Sequence, residues 1–174
     1  MAEIERKFLL AAMPDEEFNR QRKILQGYLF MSPDEMRIRQ DNGDFFLTIK
    51  GDGTVSREEW ETQITEWVFR TLWPRTEGCR INKFRSLRIW QEHKLEFDLY
   101  QDHLTGLVTM ECEFSNLQAA KAFVVPNWIG AFAEVTDDKR FKNKNLAVMT
   151  REQVREAVEE YKERLGLNPF GSVR

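Results

Sequence analysis

Short segments in which apolar and polar residues alternate run through the first two thirds of the chain. A period of two is typical of β-strands, because successive side chains of a strand point to opposite faces of the sheet. Turn signals separate these segments, including Asn42-Gly43 and Gly51-Asp52-Gly53. The pattern predicts about eight strands, at 2–10, 24–31, 35–40, 45–50, 56–63, 80–90, 94–100 and 107–114.

Four other segments carry helical signals. Residues 64–73 place apolar side chains at helical spacing before Pro74, and residues 116–124 precede Pro126. Residues 150–165 predict a C-terminal helix, with Thr150 as N-cap and Gln153 completing a capping box. Within residues 11–23, Pro14 followed by acidic residues predicts a short helix. The expected fold class is therefore α+β, mainly antiparallel β, with about eight strands in a closed barrel or a sandwich.

Nearly every predicted strand has one charged face and one largely apolar face. The strand at 80–90, for example, places Lys83 and Arg85 on one face and Phe84 on the other. Either the charges are solvated outside a filled barrel or sandwich, or they line the wet interior of a tunnel. Helices or a second subunit would cover the apolar outside of a tunnel, so a homodimer is among the expected assemblies. The period does not choose between the two structures, and the cost of burying charge favours the filled one.

Composition narrows the classes of function. The length of 174 residues fits a single domain spanning 1–174. A net charge of −3 lacks the basic excess of a nucleic-acid-binding protein, so no nucleic-acid partner is expected. No apolar run reaches membrane-spanning length and no secretory signal opens the chain, so a cytoplasmic location without membrane contact is expected. Clusters of both signs inside a balanced total fit a site that holds an anion together with a cation.

The first predicted strand places Glu3, Glu5 and Lys7 on one face. Paired carboxylates are the hard oxygen ligands that suit Mg²⁺ or Mn²⁺, and a lysine beside them suits a phosphate. The alternative is the solvated face of a half-buried sheet, which charged residues on strands usually form.

Further short motifs follow Glu3-x-Glu5-x-Lys7 in order along the chain. They are Gln26-Gly27-Tyr28-Leu29, Arg37-Ile38-Arg39, Leu47-Thr48-Ile49-Lys50-Gly51, Ser56-Arg57-Glu58-Glu59-Trp60-Glu61, Lys83-Phe84-Arg85, Glu96-Phe97-Asp98, Glu111-x-Glu113 and Arg140-Phe141-Lys142-Asn143-Lys144-Asn145-Leu146-Ala147. The ordered set resembles the CYTH family, the triphosphate tunnel metalloenzymes, over about residues 2–147. The resemblance implies a tunnel-shaped antiparallel barrel with flanking helices that binds a triphosphate together with a divalent metal ion.

The resemblance also implies which residues form the site. The positions expected to hold Mg²⁺ or Mn²⁺ are Glu3, Glu5, Asp98, Glu111 and Glu113. The expected triphosphate-binding positions are Lys7, Arg37, Arg39, Lys50, Lys83 and Arg85, with Arg57 and Arg140 as further candidates. Pairing with a carboxylate for structure is the alternative for Arg57, and closing one mouth of the tunnel is the alternative for Arg140. The candidate catalytic residues are Lys7, Tyr28 and Glu61. Glu61 would orient the attacking water or balance the basic residues, and Lys7 with Tyr28 would transfer protons if neighbouring cations lowered the pKa of the lysine.

The function expected from the resemblance is metal-dependent hydrolysis of a triphosphate, with inorganic tripolyphosphate as the first candidate substrate. Class IV adenylate cyclase and thiamine triphosphatase are the alternatives within the family. A non-catalytic polyphosphate- or nucleotide-binding module is the alternative outside enzymes. Such a module would lack some of the metal carboxylates, and this chain has one at each matched position.

Overall fold

A single antiparallel sheet of nine strands dominates the computed structural model, which describes residues 4–51 and 59–166. The strands are β1 (Ile4–Leu10), β2 (Arg20–Phe30), β3 (Glu35–Asp41), β4 (Asp44–Lys50), β5 (Glu59–Gln63), β6 (Arg80–Trp90), β7 (His93–Tyr100), β8 (Val108–Phe114) and β9 (Phe132–Glu134). Their order across the sheet is β5-β4-β3-β2-β6-β7-β8-β1-β9. The predicted strands are confirmed in the described part of the chain, and β9 is an addition to them.

Five short α-helices accompany the sheet in the described residues. They are α1 (Glu66–Leu72), α2 (Leu117–Ala122), α3 (Asn143–Leu146), α4 (Arg151–Glu159) and α5 (Lys162–Leu165). Thr65 caps α1, Asn116 caps α2, and the predicted capping box of Thr150 and Gln153 begins α4. None of the helices in residues 4–51 and 59–166 has the length and apolar character required to cross a membrane.

The sheet is strongly curled but not strictly closed. Its outermost strands are β5 and β9, and no strand ladder joins these two edges within the described residues. Leu9 of β1 and Tyr28 of β2 nevertheless belong to one hydrophobic core. Leu9 and Tyr28 are separated by four strand spacings along the sheet. In a flat sheet the distance between them would be about 19 Å. The predicted closed barrel is therefore corrected to a curled sheet with two edges.

The helix predicted within residues 11–23 is wrong. Residues 11–19 form bends and irregular structure, and β2 already begins at Arg20. Strand pairing explains the difference, because Arg20 to Gly27 pair residue by residue with Leu87 to Arg80 of the long strand β6. Phe18 packs against the ring of Phe97 at 5.3 Å, so this segment covers the outer face of the sheet without forming a helix.

Two other differences concern the C-terminal third. The chain predicted as one helix over 150–165 is divided between α4 and α5, with a turn at Glu160 and Tyr161. The three-residue strand β9 lies in sequence that carries no clear strand pattern, and it forms because Phe132 to Glu134 pair with Phe8 to Leu10 of β1.

The apolar outer face of the sheet is covered by helical segments. Phe97, Met110 and Phe114 pack in one core with Phe123 and Ile129, which follow or belong to the short helices after β8. This confirms the prediction that the apolar strand faces meet helices while the charged faces point inward. Phe84 and Trp60 are exceptions, because 44% and 54% of their surfaces remain exposed.

Candidate functional site

The strand register places the predicted site side chains on one face of the curled sheet. Residues paired across antiparallel strands point to the same side, and the register pairs Lys7 with Glu111, Glu111 with Glu96, and Arg85 with Asp98. We call this inner face the polar wall. Its charged members in the described residues are Glu5, Lys7, Arg20, Arg22, Glu35, Arg37, Arg39, Asp41, Asp44, Lys50, Glu59, Glu61, Lys83, Arg85, Lys94, Glu96, Asp98, Glu111 and Glu113.

Lys7 and Glu111 form a buried ion pair on the polar wall. Lys7 Nζ donates to Glu111 Oε1 at 2.8 Å. Burial by itself would lower the pKa of Lys7, but the adjacent Glu111 carboxylate outweighs it and raises that pKa above its usual value. The pKa of Glu111 lies well below its usual range, since Lys7 and Arg85 overcome the effect of its own burial. Both groups are therefore charged at neutral pH.

Lys83 and Asp98 form a second buried pair. Lys83 Nζ lies 2.6 Å from Asp98 Oδ2. Burial and the nearby positive charge of Arg85 lower the pKa of Lys83 to about 8, although Asp98 acts in the opposite direction. Burial would raise the pKa of Asp98, but Arg85 and Lys83 together hold it below its usual value. Among the wall lysines with a shifted pKa, Lys83 therefore loses its proton most readily.

Arg85 connects three carboxylates. Its Nε donates to Asp98 Oδ1 at 2.6 Å, and its Nη2 donates to Asp98 Oδ2 at 2.5 Å and to Glu111 Oε2 at 2.6 Å. Its Nη1 donates to Glu96 Oε2. The guanidinium is therefore bound along both of its edges, which fixes the plane of the group.

The strands β3, β4 and β5 supply the other basic positions. Arg39 Nη2 lies 3.1 Å from Glu61 Oε1, and the Thr48 hydroxyl donates to Glu61 Oε2 at 2.6 Å. Lys50 pairs with Glu59 at 2.6 Å. The Nε atoms of Arg37 and Arg39 are buried and have no hydrogen-bond partner among the residues that the structure describes. Buried donors without partners are costly, so these two atoms are available to donate to a bound group.

Tyr28 lies where the polar wall meets an apolar core. Gln26 Nε2 donates to the Tyr28 hydroxyl at 2.6 Å, and burial raises the pKa of that hydroxyl above its usual value. Proton transfer between Lys7 and Tyr28 requires a lowered lysine pKa, whereas the ion pair with Glu111 raises the pKa of Lys7. The catalytic roles of Lys7 and Tyr28 otherwise stay predictions.

The apolar core closes this end of the polar wall. Tyr100 is buried beside Lys83, whose Nζ lies 5.3 Å from the ring centroid, and the Tyr100 hydroxyl donates to Asn143 Oδ1 at 2.9 Å. Phe141, Leu146, Val154 and Leu165 of the C-terminal segments complete this core. The polar wall therefore has one end sealed by the C-terminal helices.

Arg140 occupies a different place from the other basic positions. It lies in the 3-10 turn Lys139–Phe141 and donates to both Asp138 and Glu160, with Nη2 at 2.6 Å from Asp138 Oδ2 and from Glu160 Oε2. The Tyr161 hydroxyl donates to the same Asp138 oxygen at 2.9 Å. Arg140 thus attaches α4 and α5 to the turn, and its contact with substrate stays a prediction.

The carboxylates expected to hold metal divide into two groups. Glu5 and Glu113 are exposed and face each other across β1 and β8, with Glu111 two residues further along the same face. Asp98 is fully buried between Lys83 and Arg85, and its role as a metal ligand stays a prediction. Glu3 and Arg57 lie outside the described residues.

The donor set near Glu113 fits a hard divalent cation. In the described parts of the chain, no three acidic, imidazole or thiol side chains come together as a ready metal cluster. Mg²⁺ is commonly held by one or two carboxylates together with substrate phosphates and water, so a pair such as Glu5 and Glu113 suffices for it. Carboxylate oxygens are also the ligands that Mn²⁺ prefers over thiols.

Arg22, Asp41 and Glu96 are among the polar-wall residues for which the sequence predicts no role. The sequence predicts a helix at Arg22 and a turn at Asp41, so it indicates no strand face for either residue, whereas both lie in strands. Glu96 shares the period-two face of Asp98, and that spacing was the signal available for it. The structure joins all three, because Arg22 contacts Asp41 at 2.8 Å and Glu96 at 3.5 Å.

Two curated proteins named inorganic triphosphatase are similar to this chain. The protein from Nitrosomonas europaea is 45% identical over 151 residues, which are 85% of this chain and 98% of that protein. The protein from Acetivibrio thermocellus is 33% identical over 147 residues, which are 83% of this chain and 92% of that protein. No protein-family model matches the chain.

Solved structures agree with these relatives. The crystal structure of an inorganic triphosphatase superposes with a TM-score of 0.68 at 41% identity, covering 86% of this chain and 96% of the other. A Hippeastrum protein with a dominant triphosphatase activity superposes with a TM-score of 0.53 at 17% identity, covering 69% of this chain and 83% of the other. The similarity to the Hippeastrum protein, at 17% identity, shows a common fold and nothing further.

Proposed function

The chain belongs to the CYTH family, the triphosphate tunnel metalloenzymes, and we propose that it hydrolyses inorganic triphosphate bound along the polar wall. The relatives that share 45% and 33% of their residues with it are named inorganic triphosphatases. The strand register supports the proposal, since it brings basic residues from β1, β3, β4 and β6 onto one inner face.

The observation that carries the proposal is the pair of buried guanidinium atoms, Arg37 Nε and Arg39 Nε, that lack partners in the described residues. The two arginines lie two residues apart on β3 and point to the same face. A guanidinium binds phosphate oxygens through a planar fork, so two neighbouring forks suit consecutive phosphoryl groups of a linear chain. Lys50 and Lys83 add charges on the strands at either side of β2 and β3.

The side chains present can carry out most of what phosphoryl transfer requires. The reaction depends on alignment and charge neutralisation more than on covalent chemistry by the protein. Lys7, Lys83 and Arg85 would bind and orient the phosphoryl groups. Glu61, which is held by Arg39 and the Thr48 hydroxyl, has a fixed carboxylate that could accept a hydrogen bond from the attacking water.

Family membership implies dependence on a divalent metal in general, and Mg²⁺ or Mn²⁺ is the proposed ion. Glu5, Glu111 and Glu113 would hold it, with Glu3 as the further carboxylate matched by sequence. When bound, such an ion neutralises charge on the phosphoryl oxygens. The two exposed carboxylates lie at the end of the polar wall away from the sealed apolar core, where an ion arriving with its substrate has access.

Product analysis with three substrates tests the proposal. Tripolyphosphate, ATP and thiamine triphosphate are incubated separately with the protein and Mg²⁺ or Mn²⁺, and phosphate, pyrophosphate and cyclic AMP are quantified. We expect phosphate and pyrophosphate from tripolyphosphate at the highest rate. Cyclic AMP from ATP would show a cyclase, preference for thiamine triphosphate would show the other hydrolase of the family, and binding without turnover would show a non-catalytic module.

A further inference from the structure

Three cations converge on the buried carboxylate of Glu96. Arg85 Nη1 donates to Oε2, Lys94 Nζ lies 2.6 Å from Oε1, and Arg22 Nη2 lies 3.5 Å from the same oxygen. Only 6% of the Glu96 surface is exposed. A buried carboxylate in contact with three cations restricts the positions of its partners.

The contact with Arg85 is the one that bears on substrate. Asp98 binds the Nε and Nη2 edge of the guanidinium, Glu111 binds Nη2, and among the residues that the structure describes Glu96 alone binds Nη1. Without Glu96 the group would keep its contacts through Nε and Nη2, and Nη1 would lose the acceptor that holds it. A planar fork whose three nitrogens are all held has less freedom to tilt than one held at two, so Glu96 limits the orientation of Arg85.

We propose that Glu96 is a positioning residue for the hydrolysis, because it fixes the orientation in which Arg85 receives a phosphoryl group. This inference rests on the proposed function, in which the triphosphate lies along the polar wall. Glu96 acts through Arg85 and does not itself contact the substrate. It also ties Arg22, the cross-strand neighbour of Arg85, to the same part of the wall.

The direction in which KM changes when the Glu96 charge is removed distinguishes a positioning role from electrostatic repulsion of the substrate. A carboxylate near a phosphate-binding site repels the substrate, so removing its charge would lower KM if Glu96 had no other role. If Glu96 orients Arg85, removing the charge disorders the guanidinium and raises KM. The two interpretations therefore predict changes in opposite directions.

The test compares Glu96→Gln with the parent protein on tripolyphosphate. Glutamine keeps the shape of the side chain and removes its charge. We expect KM to rise about tenfold while kcat stays within about threefold, because the lost orientation affects bound substrate and transition state alike. The same substitution in an Arg85→Lys background should leave KM within about twofold of Arg85→Lys alone, since residues that act as a unit are not additive.

Glu16→Gln is the matched control. Glu16 pairs with Arg88 at 2.8 Å, and Arg88 lies on the same strand as Arg85 but faces outward. Its substitution should leave KM and kcat unchanged. Thermal unfolding is recorded for every variant, and Glu96→Asp replaces Glu96→Gln in the cycle if the glutamine variant does not fold; its shorter side chain should raise KM by a smaller factor.

Two results would overturn the inference: a KM that is unchanged or lowered in the Glu96 variant, or a KM increase of equal size with and without Arg85. A parent protein that shows no turnover contradicts the proposed function instead. Calorimetric titration with tripolyphosphate then replaces KM by Kd in the same cycle. A parent that neither hydrolyses nor binds tripolyphosphate overturns both.

Discussion

Asp98 lies between Lys83 and Arg85, and its carboxylate oxygens accept hydrogen bonds from both cations. Lys83 and Asp98 are almost completely withdrawn from solvent, with exposures of 2% and 0%. The three groups are not equivalent. Asp98 has two partners of opposite charge, whereas Lys83 Nζ donates to Asp98 alone within residues 4–51 and 59–166.

This asymmetry predicts unequal losses of stability. Asp98→Asn removes the counter-charge of Lys83 and part of that of Arg85, and we expect it to lower the free energy of unfolding by roughly 3–5 kcal/mol. Lys83→Met should cost clearly less, because Arg85 still neutralises Asp98. Urea unfolding of both variants measures the difference, with exposed Glu152→Gln as the control. Equal losses would contradict the arrangement.

Arg37 and Arg39 should each be needed as arginine. Lysine keeps the charge but has no Nε donor and no planar fork, so Arg37→Lys or Arg39→Lys should raise KM for tripolyphosphate by roughly 10- to 100-fold. Arg70→Lys, on the exposed surface of α1, should have no effect. Steady-state kinetics provide the measurement, and unchanged KM in both wall variants would show that their unpartnered Nε atoms do not bind substrate.

Metal dependence should respond to Glu113. Turnover is expected to disappear with a chelator and to return with Mg²⁺ or Mn²⁺. Glu113→Ala should shift the dependence of rate on metal concentration to higher concentrations, with partial recovery at excess metal, because one candidate ligand is lost. Glu77→Ala, in an exposed turn, should follow the parent curve. The measurement is the hydrolysis rate as a function of metal concentration for the parent and both variants. Identical curves for all three proteins would show that Glu113 is not a metal ligand.

The attachment of the C-terminal helices should weaken in acid. Hydrogen bonds from Arg140, opposed by a small effect of burial, hold the pKa of Asp138 below its usual value. A depressed carboxyl pKa adds stability that is fully present above the pKa of the unfolded chain, about 4 for Asp, and is lost as pH falls through the lower folded value. The Tm difference between the parent and Asp138→Asn should thus be large at pH 7 and shrink below about pH 4. A difference that is independent of pH would contradict this role.

The sequence predicts the faces of the strands more reliably than their surroundings. A period of two determines which side chains share a face, so the common face of Lys83 with Arg85 and of Glu96 with Asp98 follows from local sequence. Which face points inward does not follow, because it depends on the helical segments around Phe123 and Ile129 that cover the apolar side. In this chain the resemblance to a known family supplied that information.

Long-range pairing accounts for what the sequence missed. Arg22 belongs to a strand because it pairs with β6, more than 60 residues away, and local signals at Pro14 and the following acids suggested a helix instead. The partners of Arg85 come from two strands, β7 and β8, and no spacing along the chain indicates that three carboxylates meet one guanidinium. A local sequence pattern does not identify residues whose role depends on partners that are distant along the chain.

The ion pairs of the polar wall have a consequence for how substrate arrives. Lys7, Lys50 and Lys83 are each neutralised by a neighbouring carboxylate, and the whole chain carries a net charge of −3. Little positive potential therefore extends beyond a Debye length, about 8 Å at physiological salt. A polyanion approaching this protein meets no attractive field at a distance, so its capture depends on unguided diffusion to the open end of the wall and on the exchange of ion pairs after it enters.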